Sequence, residues 1–91
     1  LIVSVTGNVD PETGYVIDTK ILSDIIKEHI EEALDHKNLN EDVPEFFDLN
    51  PTAEHIAFVI WNKLRVFIAA DKALEITLYE TPRNFVTYTG N

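Results

Sequence analysis

At 91 residues the chain makes one domain, with no length for a second independent core. Sixteen acidic against seven basic side chains give a formal charge of −9, a surface that repels phosphate backbones and anionic lipid, so neither nucleic acid nor membrane is an expected partner. Hydrophobic residues make up 45% and mean hydropathy is close to zero, which argues against disorder. No apolar run reaches the length of a membrane span. The absence of cysteine removes disulfides, thiolate metal sites and a cysteine nucleophile from these residues, a usage that fits the cytosol. A domain of this size buries only about 60–65% of its unfolded surface, so added burial by oligomerisation is expected.

Leu1 to Thr6 alternates loosely and is rich in β-branched residues, which reads as a strand. It starts without Met and without the basic flank or cleavage site of a signal peptide, so the natural chain is expected to continue upstream. Gly7-Asn8 and Asp10-Pro11-Glu12-Thr13-Gly14 carry turn chemistry, and Tyr15-Val16-Ile17 reads as a second strand closing a hairpin. Asp18 and Thr19 are suitable helix caps. Beyond them Ile21, Leu22, Ile25, Ile26, Ile30, Ala33 and Leu34 recur at three- and four-residue intervals, which predicts an amphipathic helix of about four turns.

Asp35 to Asn50 is polar, contains Pro44 and reads as a long loop, of a length that tends to be functional. Asn50-Pro51 has the form of an N-cap followed by Pro at the first helical position. A second helix is predicted from Pro51 to about Phe67, apolar on more than one side through Ile56, Phe58, Val59, Ile60, Trp61, Leu64 and Phe67, and so more buried than the first. Leu74 to Tyr79 alternates strictly, residues 81–84 form a turn, and Phe85 to Thr89 is a last strand. The order β-β-α-α-β-β predicts an α+β domain, an antiparallel sheet with two helices on one face.

Three groups of residues could carry chemistry. Asp35-His36 follows the first helix; a carboxylate beside an imidazole orients it and raises its basicity for general acid–base work, or the pair simply ends the helix, with His36 at its terminal carbonyls. Glu80 ends the alternating strand, where a carboxylate can accept two parallel hydrogen bonds from a planar N–H/NH₂ edge, or stand as an exposed charge. Thr52 and Glu54 sit at a helix N-terminus, where free N–H groups and a carboxylate converge, or where an acid merely suits the helix dipole. His29 and His55 lack paired spacing with each other or with His36 and read as structural residues rather than metal ligands.

In order, these segments form a pattern. Asp10-Pro11-x-Thr13-Gly14-x-Val16-x-Asp18, Leu34-Asp35-His36-Lys37-Asn38-Leu39-Asn40, Asp42-Val43-Pro44-x-Phe46, Pro51-Thr52-x-Glu54, Ile60-Trp61, Glu80-Thr81 and Tyr88-x-Gly90 together resemble the 6-pyruvoyl-tetrahydropterin synthase family over essentially the whole chain. The segment around Asp35-His36 looks more like 6-pyruvoyl-tetrahydropterin synthases. Asn50 to Glu54 and Glu80-Thr81-Pro82 look more like the 6-carboxy-5,6,7,8-tetrahydropterin synthases of queuosine precursor synthesis.

The resemblance implies a lyase-type enzyme acting on 7,8-dihydroneopterin triphosphate, with loss of triphosphate. It also implies a tunnelling fold in which subunits join their sheets into a barrel, as trimers or hexamers. Asp35 and His36 would be the catalytic pair, Glu80 the anchor of the pterin ring, and Thr52 and Glu54 a second group at the pterin pocket; Ala53 stands where some relatives have Thr. The family's zinc, a Lewis acid toward the substrate's side-chain hydroxyls, is held by three His residues. None of these ligands is expected in this chain, since the family's His-Gly-His-Asn motif and catalytic Cys belong upstream of Leu1. A non-catalytic pterin-binding or assembly member of the same fold is the alternative.

Overall fold

A computed structural model describes residues 1–34 and 52–90. Three strands form one antiparallel sheet in the order β1 (Ile2–Thr6), β2 (Ala73–Tyr79), β3 (Phe85–Tyr88). The register pairs Val3 with Ile76, Val5 with Leu74, Ile76 with Tyr88, and Leu78 with Val86. Directly opposed residues share a face, so the apolar alternation of all three strands falls on one side. The other side carries Ser4 opposite Glu75, Thr77 opposite Thr87, and Tyr79 opposite Phe85.

The apolar side is covered by helices. The first begins at Asp18, whose carboxylate accepts from the Lys20 and Ile21 amides at 2.8 and 3.4 Å. It runs as α1 (Thr19–Ile26), a π-helical segment (Lys27–Glu31) and a last turn, α2 (Glu32–Leu34). The π segment widens the turn and re-aims the apolar stripe. Ile30 is buried, while Leu22, Ile25, Ile26 and Leu34 pack partly buried against the core, and His29 stacks on Phe67 at 4.3 Å.

The longer helix, α3 (Ala53–Arg65), contributes Ala57, Ile60 and Leu64 to a core completed by Ile68, Leu74 and Ile76. Leu64 and Ile76 are fully enclosed. Each such side chain contributes about 1.5–3 kcal/mol by leaving water.

Most predicted elements form, and the α+β class with its antiparallel sheet and two helices holds. Two local readings need correction. Tyr15 to Ile17 is not a strand but a bend. The Asp10 and Gly14 amides donate to the carbonyls of Tyr15 and Asp10 at 3.1 and 2.8 Å, and the Glu12 amide donates to the Asp10 carboxylate at 2.8 Å. The chain is held in this closed turn until three residues before the Asp18 cap, which leaves too little length to run beside β1. The sheet among the described residues therefore has three strands.

The cap of α3 is Thr52 rather than Asn50: its backbone is extended and its hydroxyl accepts from the His55 amide at 3.2 Å. Ala53 then takes the first helical position. Among the described residues no helix is long and apolar enough to cross a membrane.

Candidate functional site

The direction of β2 relative to α3 decides which residues meet. The Trp61 indole N–H donates to the Leu74 carbonyl at 2.8 Å, and the Arg65 guanidinium donates to the Lys72 carbonyl at 2.7 Å. The C-terminal part of α3 thus lies over the start of β2. From there β2 runs back beneath the helix, so its far end points toward the N-terminus of α3. Glu80, just past β2, therefore shares one end of the domain with Thr52 and Glu54.

Glu80 opens a tight hairpin connection. Its amide donates to the Asn84 carbonyl at 2.8 Å, and the Thr81 hydroxyl accepts from the Arg83 and Asn84 amides at 3.3 and 3.1 Å. Pro82 fixes a further torsion of the turn. The Glu80 backbone is thus held firmly while its side chain stands exposed, available to a ligand edge. Glu54 is likewise exposed in the first turn of α3, and the Thr52 hydroxyl is engaged as the helix cap. Asp35 and His36 lie outside the described residues, as does Pro51.

Among the described residues no group of three or more His, Cys, Asp or Glu side chains could hold a metal ion. His29 sits against Phe67 with Glu28 at 3.8 Å, and the His55 amide serves the α3 cap. The described residues therefore do not fit a zinc centre. Tyr15 carries the one perturbed ionisation among them: the negative charge of Asp18 raises its phenol above the ordinary tyrosine value, helped by slight desolvation of this exposed ring, its hydrogen bond to Asp18 and the charge of Asp10.

One residue of this end was read from sequence only as part of a turn. Arg83 is exposed, three positions beyond Glu80 in the same hairpin. The signal was available: it is the single cation after Lys72 in a chain with only seven.

Comparison with known proteins gives the family of the chain. The family described as "6-pyruvoyl tetrahydropterin synthase" matches residues 1–91. The chain is 40% identical over 90 residues to a 6-pyruvoyl tetrahydrobiopterin synthase of Pongo abelii, covering 99% of this chain and 62% of that protein. It is 39% identical to the protein of that name from Homo sapiens, with the same coverage, and 42% identical over 88 residues to that of Poecilia reticulata, covering 97% and 60%. The chain thus spans about three fifths of the length of these relatives. With the family match running from the first residue to the last, the chain belongs to the 6-pyruvoyl tetrahydropterin synthase family.

Proposed function

We propose that the protein containing this chain is a lyase-type enzyme that converts 7,8-dihydroneopterin triphosphate to a 6-substituted tetrahydropterin with loss of triphosphate. The observation that carries the reading is the family match along all 91 residues, in relatives named as synthases. The exposed carboxylate of Glu80 at the end of β2 agrees with it.

In this reading Glu80 accepts two parallel hydrogen bonds from the amino and ring N–H edge of the pterin, a pairing that fixes orientation as well as affinity. Thr52 and Glu54, at the same end of the domain, form a second group at the pterin pocket. His36 moves protons at the substrate side chain, and Asp35 orients the imidazole and stabilises its charged form. Zinc dependence, assembly into trimers or hexamers, a cytosolic location and the choice between a 6-pyruvoyl and a 6-carboxy product belong to the same proposal, carried by the family resemblance. The zinc ligands are expected outside the residues described.

Two substitutions test the division of roles in the full-length protein. Glu80→Gln should raise KM for the triphosphate substrate, because the amide can accept only one of the two bonds. His36→Ala should lower kcat by about 10²–10⁴-fold, the usual contribution of a positioned acid–base group. Full activity in both variants would overturn these assignments.

A further inference from the structure

The proposed substrate poses an electrostatic problem for this chain. A triphosphate carries several negative charges, and these 91 residues carry a formal charge of −9. Without a local cation, the field of such a surface repels the ligand.

The cations among the described residues are unevenly placed. Lys20 and Lys27 lie on the first helix, where Lys20 pairs with Asp24 at 3.4 Å. Lys63, Arg65 and Lys72 lie at the opposite end from Glu80, in the last turns of α3 and before β2. The Arg65 guanidinium is engaged by the carbonyls of Ile68, Ala69 and Lys72. Lys72 donates to the Asn8 carbonyl at 2.8 Å and pairs with Asp71 at 3.7 Å. Arg83, among the described residues, stands in the Glu80 hairpin itself.

We propose that Arg83 binds the triphosphate of the substrate whose ring Glu80 anchors, and so sets the preference for a phosphorylated pterin. The inference rests on the proposed function. Its physical basis is a rigid hairpin that presents a ring-binding carboxylate and a phosphate-binding guanidinium from one short turn. Thr81 and Asn84 close this turn on each other, so the backbone from Glu80 to Arg83 is folded, and it is the length of the arginine side chain that carries its guanidinium away from the ring edge held by Glu80 toward a phosphate chain on the 6-substituent. The hydrogen bonds from the Arg83 and Asn84 amides to the Thr81 hydroxyl fix the base of the side chain. Among the described residues the Arg83 guanidinium has no ion-pair or hydrogen-bond partner to give up. Arginine presents a planar fork of donors that suits phosphate oxygens bidentately.

The test is the full-length protein with Arg83→Ala, Arg83→Lys and, as a remote control, Lys20→Ala. Arg83→Ala should raise KM for 7,8-dihydroneopterin triphosphate by about ten-fold or more with little change in kcat, Arg83→Lys should recover part of the loss, and Lys20→Ala should match wild type. Calorimetric binding of inorganic triphosphate should weaken in parallel in Arg83→Ala. Unchanged KM and unchanged triphosphate binding in Arg83→Ala would overturn the proposal. If wild type turns over no pterin, the parent reading fails, and the inorganic triphosphate titration still decides what Arg83 does.

Discussion

Gly90 lies against the indole of Trp61 so closely that a Cβ there would come within 2.5 Å of Cζ2. On its polar edge the same indole donates to the Leu74 carbonyl, and Tyr88 meets it edge-on at 5.6 Å. Trp61 therefore joins α3 to the start of β2 and to the end of β3. This contact helps hold β2 under α3 in the direction that carries Glu80 to the Thr52 end.

Gly90 has a φ of +96°, a backbone region that penalises any side chain, so Gly90→Ala suffers both backbone strain and the indole clash. An expected loss of about 2–4 kcal/mol follows. Gly14 has a φ of +80° and open space for 4 Å around the position a Cβ would take, so Gly14→Ala should cost only about 1 kcal/mol. Urea unfolding midpoints at constant slope check the difference. Equal losses would show that the indole contact does not constrain the strand end.

Trp61→Phe keeps an aromatic ring and deletes the donor to the Leu74 carbonyl. A loss of about 1–3 kcal/mol is expected, read as a lower urea midpoint. A midpoint within error of wild type would mean that water replaces the indole N–H without cost.

Leu64 and Ile76 are both completely enclosed, one from the helix and one from the central strand. Leu64→Ala should cost about 2–5 kcal/mol and Ile76→Val about 0.5–1.5 kcal/mol, the difference following the volume removed. Thermal or urea unfolding of the two variants measures this. A Leu64→Ala variant as stable as wild type would contradict the core described.

Tyr15 donates to the Asp18 carboxylate at 3.4 Å and its phenol is held above the ordinary value. Because the folded state favours the protonated phenol, the associated stability is fully present below the unfolded tyrosine value of about 10 and is lost as pH rises through the higher folded value. Site-resolved NMR titration should show Tyr15 ionising later in the native protein than in the unfolded chain. Asp18→Asn, which retains a good helix cap, should shrink that delay. An Asp18→Asn titration that matches wild type would assign the shift to another cause.

The parts of the fold that were legible in the sequence are those with a single strong period. The alternation of Leu74 to Tyr79 and the dense apolar helix through Ile60 and Leu64 are each set by burial against one continuous core, and they form within one or two residues of expectation. Tyr15 to Ile17 had strand-forming composition, but its fate depended on how tightly Asp10 and Gly14 close the turn before it, which composition does not encode. The π segment was hidden for a similar reason. Ile26 and Ile30 fit an ordinary helix equally well, and the π turn coincides with Ile30 entering the core and His29 stacking on Phe67, neither of which a helical period encodes. At the site, the β2 direction brings Glu80 to the end that holds Thr52 and Glu54, a placement that element order alone does not give. The role proposed for Arg83 is not legible in the sequence, because a charge in a turn is ordinarily just solvated.

The most direct measurement is incubation of the zinc-loaded full-length protein with 7,8-dihydroneopterin triphosphate, with products identified by mass. The account predicts release of triphosphate together with a 6-pyruvoyl or 6-carboxy tetrahydropterin, and the mass distinguishes the two. An assembled, zinc-loaded protein that leaves this substrate unchanged would contradict the enzymatic reading and leave a non-catalytic pterin-binding or assembly member of the family.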